Sequence, residues 1–289
     1  MPGPAAGVVR LVHPFPSILD GLVVGLVALV GGGGPGTAAV LGLSMTLLQF
    51  AIGALNDIVD APRDAGRTPP KPIPAGRVGP RVARAVVIGS AIGGLVLASA
   101  GGPVLVLLAA VGLAIGAWYD LSAKGTTLSW LPLTVGIPLL PVYGWYGATG
   151  GLPGIFLVII PAAVTAAAAL AVANAIVDVE RDEASGVSSV AIGLGAGRAA
   201  VLVTLLHLAV AMLALATAIA LDAPAGWVAA VLVATAVPLG GAIFGLVAAL
   251  REGTGWRELA WEIQAVGTGL LAVAWLGALS ASGGMSTGG

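Results

Sequence analysis

The sequence predicts an all-α membrane protein, a bundle of about nine transmembrane helices with a central cavity that opens near the cytoplasmic face. Hydrophobic residues make up 58% of its 289 residues and charged residues 9%, whereas about a quarter of the residues in a soluble domain are charged. The runs 152–175 and 199–221 contain no Asp, Glu, Lys or Arg, and about 20 apolar residues cross a bilayer as a helix. A membrane barrel would need alternating segments of about ten residues, which the sequence lacks.

Nine spanning helices are predicted from apolar runs between glycine, proline and charged residues. They cover residues 15–31, 37–58, 80–99, 103–119, 128–147, 153–178, 197–221, 225–249 and 258–280. The connections at 31–36, 101–103, 149–153 and 222–226 are short, and Asp222 is their one charged residue. We expect these four connections to lie on one side of the membrane.

The basic residues are predicted to lie on the other side. All twelve Lys and Arg residues fall in the N-terminal arm, in the connections after spans 2, 4, 6 and 8, or in the first residues of the spans that follow those connections. By the positive-inside rule that side is cytoplasmic. The rule predicts an integral protein of the cell membrane with a cytoplasmic N-terminus and an external C-terminus. It is also the preferred explanation for five of the basic residues: Arg81, Arg84, Arg198, Arg251 and Arg257.

Composition excludes several classes of protein. The chain has no cysteine, so it has no disulfide, no thiolate metal site and no cysteine nucleophile. Its twelve basic and 13 acidic residues nearly balance, and no basic arm or soluble domain is present. We therefore expect no nucleic-acid partner and no obligate protein partner. Residues 1–289 are predicted to form one transmembrane domain of two helix-loop halves in a lipid bilayer.

One polar pattern, N-x-x-x-D-x-x-x-D, occurs twice, each time at the end of a long apolar run. The first row is Asn56, Asp60 and Asp64 in motif 56–64, and the second is Asn174, Asp178 and Asp182 in motif 174–182. Helical residues four apart lie on one face, so each copy is expected to form a row of one amide and two carboxylates. Carboxylates this close repel each other and are costly near hydrocarbon, which predicts bound cations.

The residues beside the two rows indicate the cation and the substrate. Neither row has His or Cys nearby, which favours Mg²⁺ or Mn²⁺ over zinc. Magnesium is usually held by one or two carboxylates together with substrate phosphates. Basic candidates for diphosphate binding are Arg63, Arg67, Lys71, Arg77, Lys124 and Arg181. The two rows are predicted to be the halves of one metal–diphosphate site.

The first motif and its loop resemble the first signature of the UbiA superfamily of intramembrane prenyltransferases. That signature is N-D-x-x-D-x-x-x-D followed by a loop similar to R-P-L-P-S-G. The sequence has Asn56-Asp57-x-x-Asp60-x-x-x-Asp64 and then K-P-I-P-A-G-R at 71–77. The second signature, D-x-x-x-D with a downstream glycine, is similar to 178–182 followed by Gly186. The span count and the spacing between the rows agree, so the resemblance extends over nearly the whole chain.

The resemblance implies an enzyme that transfers an isoprenyl group from a prenyl diphosphate to an aromatic or other lipophilic acceptor through an allylic carbocation. It implies that Asn56 and the four catalytic carboxylates, Asp60, Asp64, Asp178 and Asp182, hold Mg²⁺ against the diphosphate, with Asn174 extending the second row. Lys71 stands where the family has Arg, a change that keeps the charge but loses a bidentate contact.

The sequence contains an approximate version of the family's Tyr-x-x-x-Lys element. Tyr119 and Lys124, both candidates for binding the diphosphate, are five residues apart where four is usual. Asp120 and Lys124 have the four-residue spacing. The role of Tyr119 is the one that this departure puts in doubt.

Two other functions are compatible with the acidic rows. A UbiA-type terpene cyclase would use the same donor, but the substrate's own double bond would capture the cation and no acceptor would be needed. A transporter would line a cation path with acidic rows. Against a transporter, the acidic residues cluster at one membrane face, and the opposite half of the predicted bundle has almost no polar lining.

Two ionisable residues stand alone inside predicted spans, Asp20 in the first and His207 in the seventh. Intramembrane ionisable groups are functional candidates. For His207 we favour a neutral histidine bonded to a neighbouring helix. Asp20 is close enough to the cytoplasmic end to face the predicted cavity, where it would orient an acceptor or pair with a basic residue.

Overall fold

The computed structural model describes residues 4–66, 70–126, 128–184, 186, 188–251 and 254–284, and these residues form helices and connections without a strand. The α-helices are α1 (Pro4–Leu11), α2 (Pro14–Val30), α3 (Pro35–Asp60), α4 (Pro80–Ser99), α5 (Pro103–Trp118), α6 (Leu131–Gly136), α7 (Leu139–Thr149), α8 (Phe156–Val177), α9 (Val179–Ala184), α10 (Val190–Leu194), α11 (Ala196–Ala220), α12 (Ala225–Ala248) and α13 (Gly255–Ala281). One turn of π-helix, Tyr119–Ala123, follows α5. The predicted all-helical class is confirmed.

Length and apolar composition identify the membrane-crossing helices. Within the described residues seven qualify singly: α3, α4, α5 with its π turn, α8, α11, α12 and α13. Helices α1 and α2 together make an eighth candidate, bent by 58°. The bend lies at His13, whose φ is 48°, and Pro14 begins α2 with a φ suited to a first helical residue.

The fifth predicted span, 128–147, differs from expectation. The structure has two shorter helices there, α6 and α7, separated at Ile137 and Pro138. Proline has no N–H to donate and clashes with the preceding turn, which accounts for the break. The count of nine is therefore approximate, although a helix occurs at each predicted position.

The chain divides into two compact units. Unit 1 consists of Met1–Ser122 and Tyr143–Gly150, and unit 2 of Ala123–Val142 and Gly151–Gly289. Unit 1 thus contains α1 to α5 and most of α7, and unit 2 contains α6 and α8 to α13. Each unit carries one copy of the Asn/Asp pattern. The single domain and its central cavity stay predictions.

Small residues let the helices of unit 1 approach closely. A Cβ built on Gly42 of α3 would lie 2.8 Å from the carbonyl oxygen of Gly21 in α2. Tyr143 of α7 lies 1% exposed, and its hydroxyl is 2.7 Å from the hydroxyl of Ser44 on α3. Trp145, also on α7, is only 3% exposed. It packs inside unit 1, where a Cβ built on Gly31 would lie 3.4 Å from its ring.

Unit 2 shows the same close packing. A Cβ on Gly267 of α13 would lie 2.5 Å from the backbone nitrogen of Pro238 in α12. His207 of α11 is buried, with Nδ1 3.0 Å from the carbonyl oxygen of Val203 and Nε2 3.4 Å from the hydroxyl of Thr268 in α13. The preferred interpretation of His207, a histidine bonded to a neighbouring helix, is confirmed.

Candidate functional site

The first acidic row begins on a helix and ends on a turn. Helix α3 ends at Asp60, and residues 61–66 form turns in which the backbone N–H groups of Arg63 and Asp64 donate to the carbonyl of Asp60 at 2.8 and 2.9 Å. Pro62 cannot supply the N–H that would continue the helix. The expectation of one helical stripe from Asn56 to Asp64 is therefore corrected, because only the first two members lie on α3.

Asn56 is held by a carboxylate that the sequence pattern did not single out as its partner. Its Nδ2 donates to Oδ1 of Asp120 at 2.7 Å, and Asp120 is only 4% exposed. Asp120 lies in the π turn, where hydrogen bonds run from i to i+5 and which often marks a functional site. The longer repeat of this turn explains why the local Tyr–Lys spacing is five instead of four.

Asp57, the second residue of the first motif, holds the basic loop. It is 2% exposed, and its Oδ1 accepts from Nζ of Lys71 at 2.6 Å and lies 2.9 Å from Nε2 of His13. Gly53 leaves room for this arrangement, since a Cβ there would lie 3.1 Å from the carbonyl oxygen of Val12. One buried carboxylate thus joins α3, the α1–α2 bend and the loop at Lys71.

The second acidic row also crosses a helix break. Asn174 lies on α8, and Asp178 ends that helix with φ −98° and ψ 5°. Asp182 lies on the short helix α9, where its N–H donates to the carbonyl of Asp178 at 2.9 Å. Nη1 of Arg181 lies 2.8 Å from Oδ1 of Asp178. A positive charge inside the second motif therefore offsets the negative charge of one carboxylate of the second row.

The carboxyl group of Asp182 has a raised pKa. Burial raises its pKa above the usual 3.8, and the negative charge of Asp178 raises it further, against the opposing effects of Arg181 and Lys124. The mutual repulsion of Asp178 and Asp182 is the behaviour expected of two carboxylates arranged around a cation. Lys124 is close enough to act on this row electrostatically.

Arg257 is a candidate that sequence reasoning missed. We assigned it to the positive-inside signal, but it is 7% exposed and its Nη2 lies 3.1 Å from Oε1 of Glu180, inside the second motif. Nη2 also donates to the carbonyl of Arg251 at 2.6 Å. No sequence signal distinguishes it from the solvated Arg198, because the contact joins residues 77 positions apart.

The remaining predicted residues are found in the following places. Arg63 is exposed in the turn after α3. Tyr119 begins the π turn, Lys124 directly follows it, and both are partly exposed. Arg67 lies outside the described residues. Within the described part of the chain no three His, Asp or Glu side chains converge tightly enough to hold a metal by themselves. The donor set is nevertheless hard oxygen in both rows, which suits Mg²⁺ when phosphate oxygens complete its coordination.

Comparisons with known proteins agree with these features. The model of the UbiA prenyltransferase family matches residues 21–257, a range that includes both acidic rows. No curated protein sequence matches the chain significantly.

Several solved structures share the fold. An apo UbiA homologue from Aeropyrum pernix K1 has 22% identity and a TM-score of 0.71, covering 89% of this chain and 96% of its own. A UbiA homologue from Archaeoglobus fulgidus bound to GPP and Mg²⁺ has 16% identity and a TM-score of 0.67. The match covers 92% of this chain and 99% of the homologue. A digeranylgeranylglyceryl phosphate synthase has 15% identity and a TM-score of 0.67. The match covers 96% of this chain and 99% of the synthase.

Proposed function

Because this chain belongs to the UbiA prenyltransferase family, we propose that it is a Mg²⁺-dependent enzyme that transfers an isoprenyl group from a prenyl diphosphate to a lipophilic acceptor. It is an integral membrane protein. The observation that carries the proposal is the doubled acidic row at the C-terminal ends of α3 and α8, inside the matched range. The A. fulgidus homologue with bound GPP and Mg²⁺ supports the same donor class and metal.

The donor half of the reaction is assigned to the acidic rows and the basic residues beside them. Asn56, Asp60, Asp64, Asn174, Asp178 and Asp182 would hold Mg²⁺, with Mn²⁺ as a substitute, and Arg63, Arg67, Lys71, Lys124, Arg181 and Tyr119 would bind the diphosphate. When bound, the metal neutralises the charge that develops on the diphosphate as the C1–O bond breaks. Arg181 already neutralises Asp178 at 2.8 Å, and Lys124 acts on Asp182.

The apolar spans serve the second half of the reaction. Loss of diphosphate leaves an allylic carbocation, which water would capture unless it is excluded. The apolar spans around a cavity near the cytoplasmic face would exclude water and admit the isoprenoid tail. We place the rows on the cytoplasmic side of the cell membrane, with the N-terminus inside and the C-terminus outside, from the positions of the basic residues.

Product analysis tests this function. Purified protein is incubated with Mg²⁺ and allylic diphosphates of five to about twenty carbons, alone and with phenols, hydroxynaphthoates or glyceryl ether phosphates, and the products are identified by mass spectrometry. A prenylated acceptor together with free diphosphate is expected. Cyclic hydrocarbons or alcohols formed without an acceptor would instead identify a terpene cyclase. Absence of diphosphate release from every donor would overturn the proposal.

A further inference from the structure

Asp20 is a carboxyl group inside a membrane-spanning helix. It lies on α2, and its Oδ2 accepts a hydrogen bond from Nε2 of Gln49 on α3 at 2.5 Å. Gln49 precedes Asn56 by seven residues, which is about two helical turns and about 10 Å along the axis. The Asp20–Gln49 pair therefore lies about 10 Å deeper in the span than the start of the first acidic row.

Contacts on either side of Gln49 define the face of α3 that it occupies. Gly42 marks the line where α3 meets α2, since a Cβ on Gly42 would lie 2.8 Å from the Gly21 carbonyl oxygen. Ile52 marks the line where α3 meets α5, since a Cβ on Gly116 would lie 2.6 Å from the Ile52 side chain. At 3.6 residues per turn, Gln49 and Asn56 both fall on the strip between these two lines.

This strip is accessible, unlike the neighbouring packed faces. Asp20, Gln49 and Asn56 are all partly exposed. Asp57, the residue after Asn56 and on a different face of α3, is buried. A substrate that lies along the strip would touch the acidic row at its cytoplasmic end. It would touch the Asp20–Gln49 pair further in.

Helix packing does not account for the pair. The α2–α3 contact is already made by Gly21, Gly25 and Gly42, where added Cβ atoms would lie 2.6 to 3.1 Å from backbone oxygens across the interface. Small residues of this kind are sufficient for close association in a membrane. An ionisable carboxyl within a span is costly and calls for a functional reason.

We propose that Asp20, oriented by Gln49, takes the proton that the acceptor loses when it is prenylated. This inference rests on the proposed prenyltransferase function. The C1–O bond of the donor breaks and its electron pair leaves with the diphosphate, while a nucleophilic atom of the acceptor forms the new bond to C1. The acceptor then releases one proton, which the Asp20 carboxylate binds, so that charge and atoms balance. The acceptor class is one with a hydrogen-bond-donating group, a phenol or an alcohol.

The distance along the strip fits this role. The diphosphate and C1 of the donor would lie at the acidic row, and the acceptor would follow C1 deeper into the span. About 10 Å separates Asn56 from Gln49 along α3, enough for the reacting carbon and one aromatic ring or short alcohol. Asp20 therefore stands beside the acceptor and away from the diphosphate, which it would repel.

Asp20→Asn tests the proposal because it preserves the size of the side chain and the acceptor oxygen for Gln49. Diphosphate release and prenylated product are measured separately, with geranyl diphosphate, Mg²⁺ and the acceptor that gives most product with the wild type in the panel above. We expect Asp20→Asn to release diphosphate at a rate within about twofold of wild type and to lose at least about 100-fold in product, the usual size of a proton-transfer contribution. Water-derived geraniol or linalool should replace the product, and Asp20→Glu should recover part of it.

Ser17→Ala is the matched control, since Ser17 is a buried polar residue of the same helix that bonds the carbonyl of Val12 at 2.9 Å. It should leave the ratio of product to released diphosphate unchanged. The inference is overturned if Asp20→Asn keeps product within fivefold of wild type, or if product and diphosphate release fall together, as a folding defect would cause. A wild-type protein that releases no diphosphate, or prenylates no acceptor, would instead overturn the proposed function itself.

Discussion

The ammonium group of Lys71 lies 2.6 Å from a carboxylate oxygen of Asp57, a residue that is 2% exposed. Lys71 comes from the loop that follows the first acidic row, and Asp57 belongs to the first motif, next to Asn56 of that row. The ion pair therefore fixes the start of the basic loop directly against α3. His13, 2.9 Å from the same oxygen, attaches the α1–α2 bend to the same point.

Asp57→Ala is predicted to destabilise the protein by about 3 kcal/mol, because it leaves Lys71 largely buried without its carboxylate. Asp57→Leu combined with Lys71→Met should cost less than the single change, since no unpaired charge remains. Thermal unfolding in detergent measures both. Asp222→Asn, on an exposed turn, is the control and should change stability by less than about 0.5 kcal/mol. Equal losses in the single and double variants would contradict the ion-pair explanation.

Asp60→Asn and Asp178→Asn are each predicted to lower turnover at least about 100-fold, because each removes a negative ligand from the proposed metal–diphosphate site. Mg²⁺-dependent binding of the donor should be lost in parallel. Donor binding with and without Mg²⁺, followed by isothermal titration calorimetry, separates binding from chemistry. Wild-type activity in either variant would show that the rows are only polar helix ends.

Donor binding is predicted to weaken as the pH falls, because of Asp182. The pKa of this carboxyl is raised above 3.8 by burial and by Asp178, so the folded, metal-free protein holds the proton more tightly than the unfolded chain does. Its protonation stabilises the fold at low pH, and that stabilisation is lost as the pH rises through the shifted pKa. Mg²⁺ competes with the same proton, so Mg²⁺-dependent donor affinity should rise over that range.

Asp182→Asn checks the assignment of this pH dependence. The variant should bind the donor more weakly at neutral pH, and it should lose the part of the pH dependence that lies above the ordinary Asp range. Measuring donor affinity at fixed Mg²⁺ across the acidic and neutral range provides the comparison. An unchanged pH profile would assign the dependence to another group.

Arg257→Gln is predicted to destabilise the protein by about 1–3 kcal/mol, the usual cost of losing hydrogen bonds to a charged group. It should also raise the KM for the donor, because Glu180 and the second motif lose their attachment to α13. Arg198→Gln is the matched control, since Arg198 is an exposed arginine of the same unit. Similar KM values and unfolding temperatures for the two variants would contradict a positioning role for Arg257.

Gly267→Ala is predicted to destabilise unit 2 by about 1–3 kcal/mol through overpacking, because the new Cβ would lie 2.5 Å from the backbone nitrogen of Pro238. Gly240→Ala, on the neighbouring helix with nothing within 4 Å of its Cβ position, should be neutral or stabilising by up to about 1 kcal/mol. Thermal unfolding of the two variants measures the difference. Equal effects would show that the α12–α13 contact accommodates a Cβ at Gly267 without overpacking.

Much of the fold was predictable because it depends on local composition. The apolar runs that end near Asp60 and Val177 are visible in the sequence, and the bilayer requires such runs to be helical. The split of the fifth span was less evident. Pro138 and Pro141 both occur in that run, and which of them breaks the helix depends on how the two halves pack.

The candidate site was predictable in its residue types and less so in its geometry. The Asn/Asp pattern identified the acidic rows, and the continuous helical stripe was wrong because Pro62 and Asp178 interrupt the helices. Lys71 was expected at the diphosphate, and the structure adds Asp57 as its partner. Arg257 was indistinguishable from the other basic loop residues until its burial was known.

By itself, the sequence determined that this protein is a helical membrane protein with two acidic rows suited to a hard cation, since hydropathy, charge placement and repeated motifs are properties of short segments. Only the tertiary structure decided which polar side chains are paired. Asp57 with Lys71, Asn56 with Asp120, Glu180 with Arg257 and Asp20 with Gln49 are 14, 64, 77 and 29 residues apart. Partners at such separations are selected by the close approach of helices, which depends on the packing of all of them together.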